Sequence, residues 1–228
     1  MRLFAAVLPP VEAVQELAQA VGRLRERPGA DELRWTERAG WHFTIAFMGE
    51  VEEGLIPELA ERLGRAAHRT EPFSLRIRGG GHFGERALWA GAADGGLGPV
   101  SVGSEGDAGA LGAGEGDAGV DGLRLLAARA DAAARRAGVP MEEKHPHYRP
   151  HLTLARNRGA DAGLRAYADE LSGFEGAPWV VAELALVRSV LPVSGVPGEQ
   201  PRYETVLRCP LGRARTTDPG DGSAARGR

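Results

Sequence analysis

At 228 residues with 43% hydrophobic side chains, the chain can bury the core of one large domain or two small lobes, and fits several independent domains less well. A formal net charge of −3 excludes a general nucleic-acid coat protein, which needs a strongly basic face, but leaves room for a small or end-directed substrate held by a few local cations. The one cysteine, Cys209, can form neither an intramolecular disulfide nor a thiolate metal site alone, which fits a reducing cytoplasm; no apolar stretch approaches the roughly 20 residues of a membrane span, so a soluble protein is expected.

The apolar run Leu3–Leu8 reads as a buried first strand. It falls short of the roughly 7–15 residues of a secretory hydrophobic segment, and Pro9-Pro10 stops ladder hydrogen bonding and lets a helix begin. Val11, Val14, Leu17, Val21 and Leu24 recur at three- and four-residue steps, one face of a helix that Pro28-Gly29 ends. A short segment at Leu33–Trp35 leads to a strand over Trp41–Met48, where polar and apolar residues alternate. Leu55, Leu59, Leu63 and Ala66 mark a second helix. Phe73–Arg78 and Arg86–Gly91 read as two strands joined by the turn Gly79-Gly80-Gly81, a hairpin.

Residues 94–122 are dominated by Gly, Ala, Asp, Ser and Glu and read as a disordered loop insertion, because so few apolar residues cannot offset the entropy of ordering. A glycine-rich phosphate cradle is the sharper alternative, but the glycines follow no nucleotide-binding spacing and the run is acidic. A helix over Leu123–Ala137, a strand within Tyr148–Asn157, a short helix at Asp161–Leu171, a long strand at Trp179–Val190 and a last strand at Tyr203–Cys209 follow. Residues 1–211 thus form one domain and 212–228 a disordered tail. Helices and strands mixed without regular βαβ alternation predict an α+β fold.

The segment His42-Phe43-Thr44-Ile45-Ala46 returns as His151-Leu152-Thr153-Leu154-Ala155. On a strand, side chains two apart share a face, so each motif presents an imidazole and a hydroxyl together and anchors them through Phe43 and Ile45, or Leu152 and Leu154, on the other. A lone strand histidine is an ordinary structural residue; its recurrence with a threonine in the other half of the chain suggests two related lobes sharing a cleft. Displacement at phosphorus needs a base behind the attacking water and an acid behind the leaving oxygen. Histidine, with an ordinary pKa near ~6.5, suits both roles. The threonine hydroxyls can donate to non-bridging oxygens as charge develops. No metal or other cofactor is required.

These motifs, with Leu3-Phe4-Ala5-Ala6 at the start, Trp41 to Val51 around the first histidine and Pro150 to Arg156 around the second, resemble the 2H phosphoesterases, and within them the RNA 2′,3′-cyclic phosphodiesterases historically called 2′-5′ RNA ligases. The resemblance covers roughly residues 1–211. It implies a bilobal, pseudo-twofold α+β fold with two antiparallel sheets facing a central cleft and helices outside. It also implies metal-independent hydrolysis of a terminal 2′,3′-cyclic phosphate on RNA to a 2′-phosphate, by a monomer in the cytoplasm. His42 would be the proton donor to the leaving 3′-oxygen, His151 the proton acceptor from water, and Thr44 and Thr153 would hold the phosphate. Arg156 would bind substrate too, although a regular strand puts it on the face opposite His151. A nucleotide- or RNA-binding module of the same fold with little turnover, and reversible 2′-5′ RNA ligation, are the alternatives.

Other residues invite weaker readings. His145-Pro146-His147 before His151 suggests a metal, but the prolines restrict the backbone and no His-Glu-x-x-His helix is present. His68 reads as a helix-end surface residue and His82 as a loop residue. Trp35, Trp41 and Trp89 are candidate base-stacking rings as well as candidate core. Arg34, Arg38, Arg149 and Arg156 are candidates for a local positive cleft on an otherwise acidic protein.

Overall fold

The computed structural model of the chain describes residues 1–96, 118–141, 148–158, 163–192 and 199–212. In chain order its elements are β1 (Arg2–Val7), α1 (Val11–Arg25), β2 (Leu33–Trp35), β3 (Phe43–Glu50), α2 (Ile56–His68), β4 (Phe73–Phe83), β5 (Ala87–Asp94), α3 (Ala118–Arg136), β6 (His151–Asn157), α4 (Leu164–Leu171), β7 (Trp179–Val181), β8 (Glu183–Val190) and β9 (Arg202–Pro210). They form two antiparallel sheets, one ordered β3-β1-β8-β9 and the other β2-β6-β5-β4-β7. This is the expected bilobal α+β fold, with one motif strand, β3 or β6, in each sheet.

The alternation in β1 shows how the layers form. Leu3, Ala5 and Val7 join the main core, which also takes in Leu17, Val21 and Leu24 from α1, Leu59 and Leu63 from α2, and Leu123 and Leu126 from α3. Phe4 and Ala6 point the other way and join Ala185 and Val187 of β8 in a second, smaller apolar cluster that Tyr203 packs against. The first sheet is therefore buried on both faces near β1. Helix α2 packs on β8 and β9, α1 and α4 pack on β4, and α3 lies against β3, β4 and β5.

Three elements differ from the sequence reading. The glycines 79–81 are not the hairpin turn, because β4 runs through them to Phe83 and the chain reverses at Gly84–Arg86, where Arg86 N–H donates to the Phe83 carbonyl. The glycines serve close approach instead: a Cβ at Gly80 would lie 2.4 Å from Leu171, and one at Gly81 2.3 Å from the Trp89 indole. The predicted strand Trp179–Val190 breaks at Ala182, its first part pairing with β4 and its second with β1, so the chain changes sheets there. Helix α3 begins at Ala118 rather than Leu123, because Gly119 and Gly122 let it press onto Ser74 and Phe73 of β4, where a Cβ would come within 2.3 and 2.5 Å. Of the predicted insertion 94–122, Asp94 ends β5 and 118–122 open α3, while 97–117 lie outside the described residues, as do 213–228 of the predicted tail.

Candidate active site

His42 stands one residue ahead of β3, on Trp41, which is buried and donates from Nε1 to the Thr36 carbonyl. Its ring packs against Phe4 and Tyr203, with centroids 4.6 and 5.3 Å away, and those two rings touch each other at 5.8 Å. Burial pulls its pKa from the ordinary 6.5 down to about 4; a hydrogen bond to the Gly40 carbonyl opposes this, and the nearby His151 imidazole adds to it. Gly40 matters by its bareness, since a Cβ there would lie 2.9 Å from the Thr36 side chain and 3.2 Å from the Tyr203 ring.

His151 opens β6, and its Nδ1 lies 2.9 Å from the Arg149 carbonyl. A neutral ring in this position donates from Nδ1 and keeps the Nε2 lone pair free. Its pKa is also lowered, first by burial and then by the Arg156 and Arg149 charges, against the Arg149 carbonyl bond. Phe83 meets the ring edge-on at 4.9 Å, and Trp89 lies beyond at 6.4 Å. The half-buried Tyr148 ties the two lobes beside the motifs, its hydroxyl donating to the Thr44 carbonyl at 2.9 Å, while Thr36 N–H donates to the Leu154 carbonyl at 2.8 Å and extends the β2–β6 ladder.

Both strands carry a bulge after the motif threonine. In β3, Ala5 pairs with Ala46 and Ala6 with Thr44, leaving Ile45 extra; in β6, Leu88 pairs with Ala155 and Trp89 with Thr153, leaving Leu154 extra. The extra residue shifts the alternation by one. Ile45 and Ala46 are then buried together, as are Leu154 and Ala155, and the following residues, Phe47 and Arg156, return to the cleft. Arg156 therefore shares the face of His151, contrary to the regular-strand expectation.

One cleft of about 310 Å³ is lined by His42, Thr44, His151, Thr153 and Arg156 together with Arg2, Arg34, Thr36, Phe47, Ser189 and Tyr203. No carboxylate among the described residues lines it, and Arg2, Arg34 and Arg156 make no ion pair with any described carboxylate. The cleft is thus a cationic recess with two imidazoles and two hydroxyls, suited to an anion.

The family model described as LigT-like phosphoesterase matches residues 7–89 and 117–197. The chain belongs to this family. A LigT-like relative from Thermus thermophilus, named an RNA 2′,3′-cyclic phosphodiesterase, is 31% identical over 97% of this chain and 98% of its own. A relative of the same name from Aeropyrum pernix is 29% identical over 76% of this chain and 84% of its own. A third, from Geobacillus stearothermophilus, is 25% identical over 78% of this chain, which spans about half (47%) of that relative's length. Among solved structures, a protein of Thermus thermophilus matches with a TM-score of 0.66 and 26% identity over 93% of this chain and 99% of its own. LigT of E. coli matches with a TM-score of 0.61 at 22% identity over 93% and 98%, a likeness of fold.

Set among the other candidates of this LigT-like chain, Arg34 lines the cleft, Arg149 lies 5.9 Å over the Trp89 ring, and Arg38 sits in a short 3₁₀ turn off the cleft. Trp35 and Trp41 are buried, with indole N–H groups bonded to the Ala30 and Thr36 carbonyls, so they are core; Trp89 is half-buried beside His151. His68 is exposed in the last turn of α2, and the His82 ring bonds to the Gly84 carbonyl. His145 and His147 lie outside the described residues, within which no group of three or more His, Cys, Asp or Glu is placed to hold a metal. No described helix is long and apolar enough to cross a membrane. Sequence reasoning missed Tyr203, Phe4, Phe47 and Arg2. Tyr203 lies far from both motifs in sequence, and only the pairing of β8 with β9 brings it beside Ser189 and over His42.

Proposed function

We propose that the protein hydrolyses a terminal 2′,3′-cyclic phosphate on RNA to a 2′-phosphate by two-histidine acid–base catalysis without a metal. The observation that carries this reading is the convergence of both His-x-Thr motifs, one from each sheet, on a single cationic cleft. The name shared by the Thermus and Aeropyrum relatives supplies the substrate class.

Water attacks phosphorus in line with the bond to the 3′-oxygen. The free Nε2 of His151 accepts the water proton as the new P–O bond forms. The P–O3′ bond breaks, and protonated His42 gives its proton to the 3′-oxygen, leaving a 2′-phosphomonoester and a 3′-hydroxyl. Thr44, Thr153 and Arg156 hold the non-bridging oxygens, a form of electrostatic stabilisation.

The surroundings favour this division of roles. Burial first, and then the Arg156 and Arg149 charges, lower the pKa of His151 and so favour its neutral form. At His42 the Gly40 carbonyl favours an imidazolium, and an anionic phosphate bound beside it would offset the burial that holds its pKa at about 4. The test is incubation with an oligonucleotide ending in a 2′,3′-cyclic phosphate, in the presence of EDTA. A 2′-phosphate product is expected, with His42→Ala and His151→Ala each losing about 10²–10⁴-fold in kcat/KM. Substantial turnover by either variant, abolition by EDTA, or tight nucleotide binding without turnover refutes the mechanism.

A further inference from the structure

A cyclic phosphodiester carries a single negative charge, and on the reading above Arg156 and the two threonines already meet it. Arg2 and Arg34 are surplus to that chemistry, yet both line the same cleft. Outside the cleft some arginines are matched to described carboxylates, as Arg62 is to Glu58, Arg76 to Glu175 and Arg27 to Glu170, and others such as Arg38 and Arg86 are not. What sets Arg2 and Arg34 apart is that they converge with Arg156 on one cleft that no described carboxylate lines. Arg34 is also placed at a cost. It pairs directly across the β2–β6 ladder with Arg156, and like charges at opposed positions of an antiparallel pair destabilise it. Two arginines opposed on one ladder and lining one cleft, with no described carboxylate among its lining residues, are suited to clamp an anion. The Arg2 guanidinium reaches the cleft from the other sheet, 5.1 Å over the Phe47 ring. All three cations also bear on the Tyr203 phenol, pulling its pKa down against the dominant effect of burial, which raises it.

We infer that Arg34, assisted by Arg2, forms a second phosphate subsite that binds the internucleotide phosphate adjoining the reacting end, so that the preferred substrate is an oligonucleotide end and not a cyclic mononucleotide. The inference rests on the hydrolase reading for its choice of substrate. Its geometric basis is independent: three arginines with no described carboxylate partner line a cleft whose reacting group needs one.

The experiment compares adenosine 2′,3′-cyclic phosphate, the diadenosine ending in a 2′,3′-cyclic phosphate, and the same dinucleotide with a neutral methylphosphonate linkage. Wild-type kcat/KM should be highest for the charged dinucleotide and fall on the neutral linkage by about 10–100-fold, the range for one charge-assisted hydrogen bond. Arg34→Gln should bring the charged dinucleotide down to the level of the neutral one. Equal rates for the two linkages in the wild type overturn the subsite and leave the hydrolase reading standing. Failure to turn over all three overturns the hydrolase reading. The subsite is then judged by calorimetric affinity for the 2′-phosphorylated dinucleotides, where equal binding of charged and neutral linkages overturns it. Without ligand, Arg34→Gln should also raise the urea midpoint by relieving the repulsion with Arg156; a lowered midpoint gives Arg34 a structural role and overturns the proposal.

Discussion

The depressed pKa of His42 makes stability depend on pH in a calculable way. In the unfolded chain the imidazole takes a proton near pH 6.5; in the folded protein it does so only near pH 4, because charging it where it is buried against Phe4 and Tyr203 forfeits hydration. Between these values the unfolded state binds the extra proton. The contribution of His42 is therefore fully present above pH 6.5 and is lost as pH falls through about 4, levelling off below that. At about 1.4 kcal/mol per pKa unit the loss amounts to about 3 kcal/mol, a large share of the ~5–15 kcal/mol stability of a typical domain. Urea unfolding of wild type and His42→Gln at about pH 7 and about pH 4 isolates it, since carboxylates titrate alike in both. The wild type should lose about 3 kcal/mol more than the variant over this interval. Millimolar phosphate should reduce the difference by supplying the anion that an imidazolium needs. Equal losses in the two proteins, or an NMR titration of His42 centred near pH 6.5, refute the reasoning.

The same shifts act on catalysis. Both histidines are lowered in the free protein, so the bell-shaped profile of kcat/KM should have its alkaline limb below pH 6.5, and a limb above about pH 7 would contradict the burial argument. Tyr148→Phe removes the hydroxyl that ties the approach to β6 to the Thr44 carbonyl; it should cost about 1 kcal/mol in urea unfolding and lower kcat more than it raises KM. Gly81→Ala drives a methyl into the Trp89 indole, which packs beyond His151; a loss of about 1–3 kcal/mol is expected by urea unfolding, and an unchanged midpoint would show that the indole moves freely.

The two motif strands were legible because a half-buried strand writes its faces into the sequence with period two, and because the pattern occurs twice. The helices were legible from their apolar spacing. Features that depend on pairing were not. Nothing in Gly79-Gly80-Gly81 distinguishes a turn from a strand interior that must clear Leu171 and Trp89, because the clearance is set by residues distant in sequence. From Trp179 to Val190 the only trace of the crossing between sheets at Ala182 is the charged Glu183 that follows it, since Val181 and Leu184 on either side are both buried, in different sheets.

The bulges have the clearest bearing on function. In a regular strand the cleft position after each threonine would fall to Ala46 or Ala155; the extra Ile45 and Leu154 pass it to Phe47 and Arg156. The trace of this in the sequence is an apolar pair, Ile45-Ala46 or Leu154-Ala155, where alternation calls for a polar residue second. The repeat is symmetric up to that point and asymmetric from it, with a ring in one lobe and a guanidinium in the other. The remaining asymmetry comes from residues outside the repeat, Phe4 and Tyr203 around His42 and Arg149 beside His151. Two imidazoles in identical surroundings would share a proton without preference. On the proposed mechanism they need opposite protonation states when substrate is bound; the Arg156 and Arg149 charges oppose an imidazolium at His151, whereas no arginine is among the causes that act on His42.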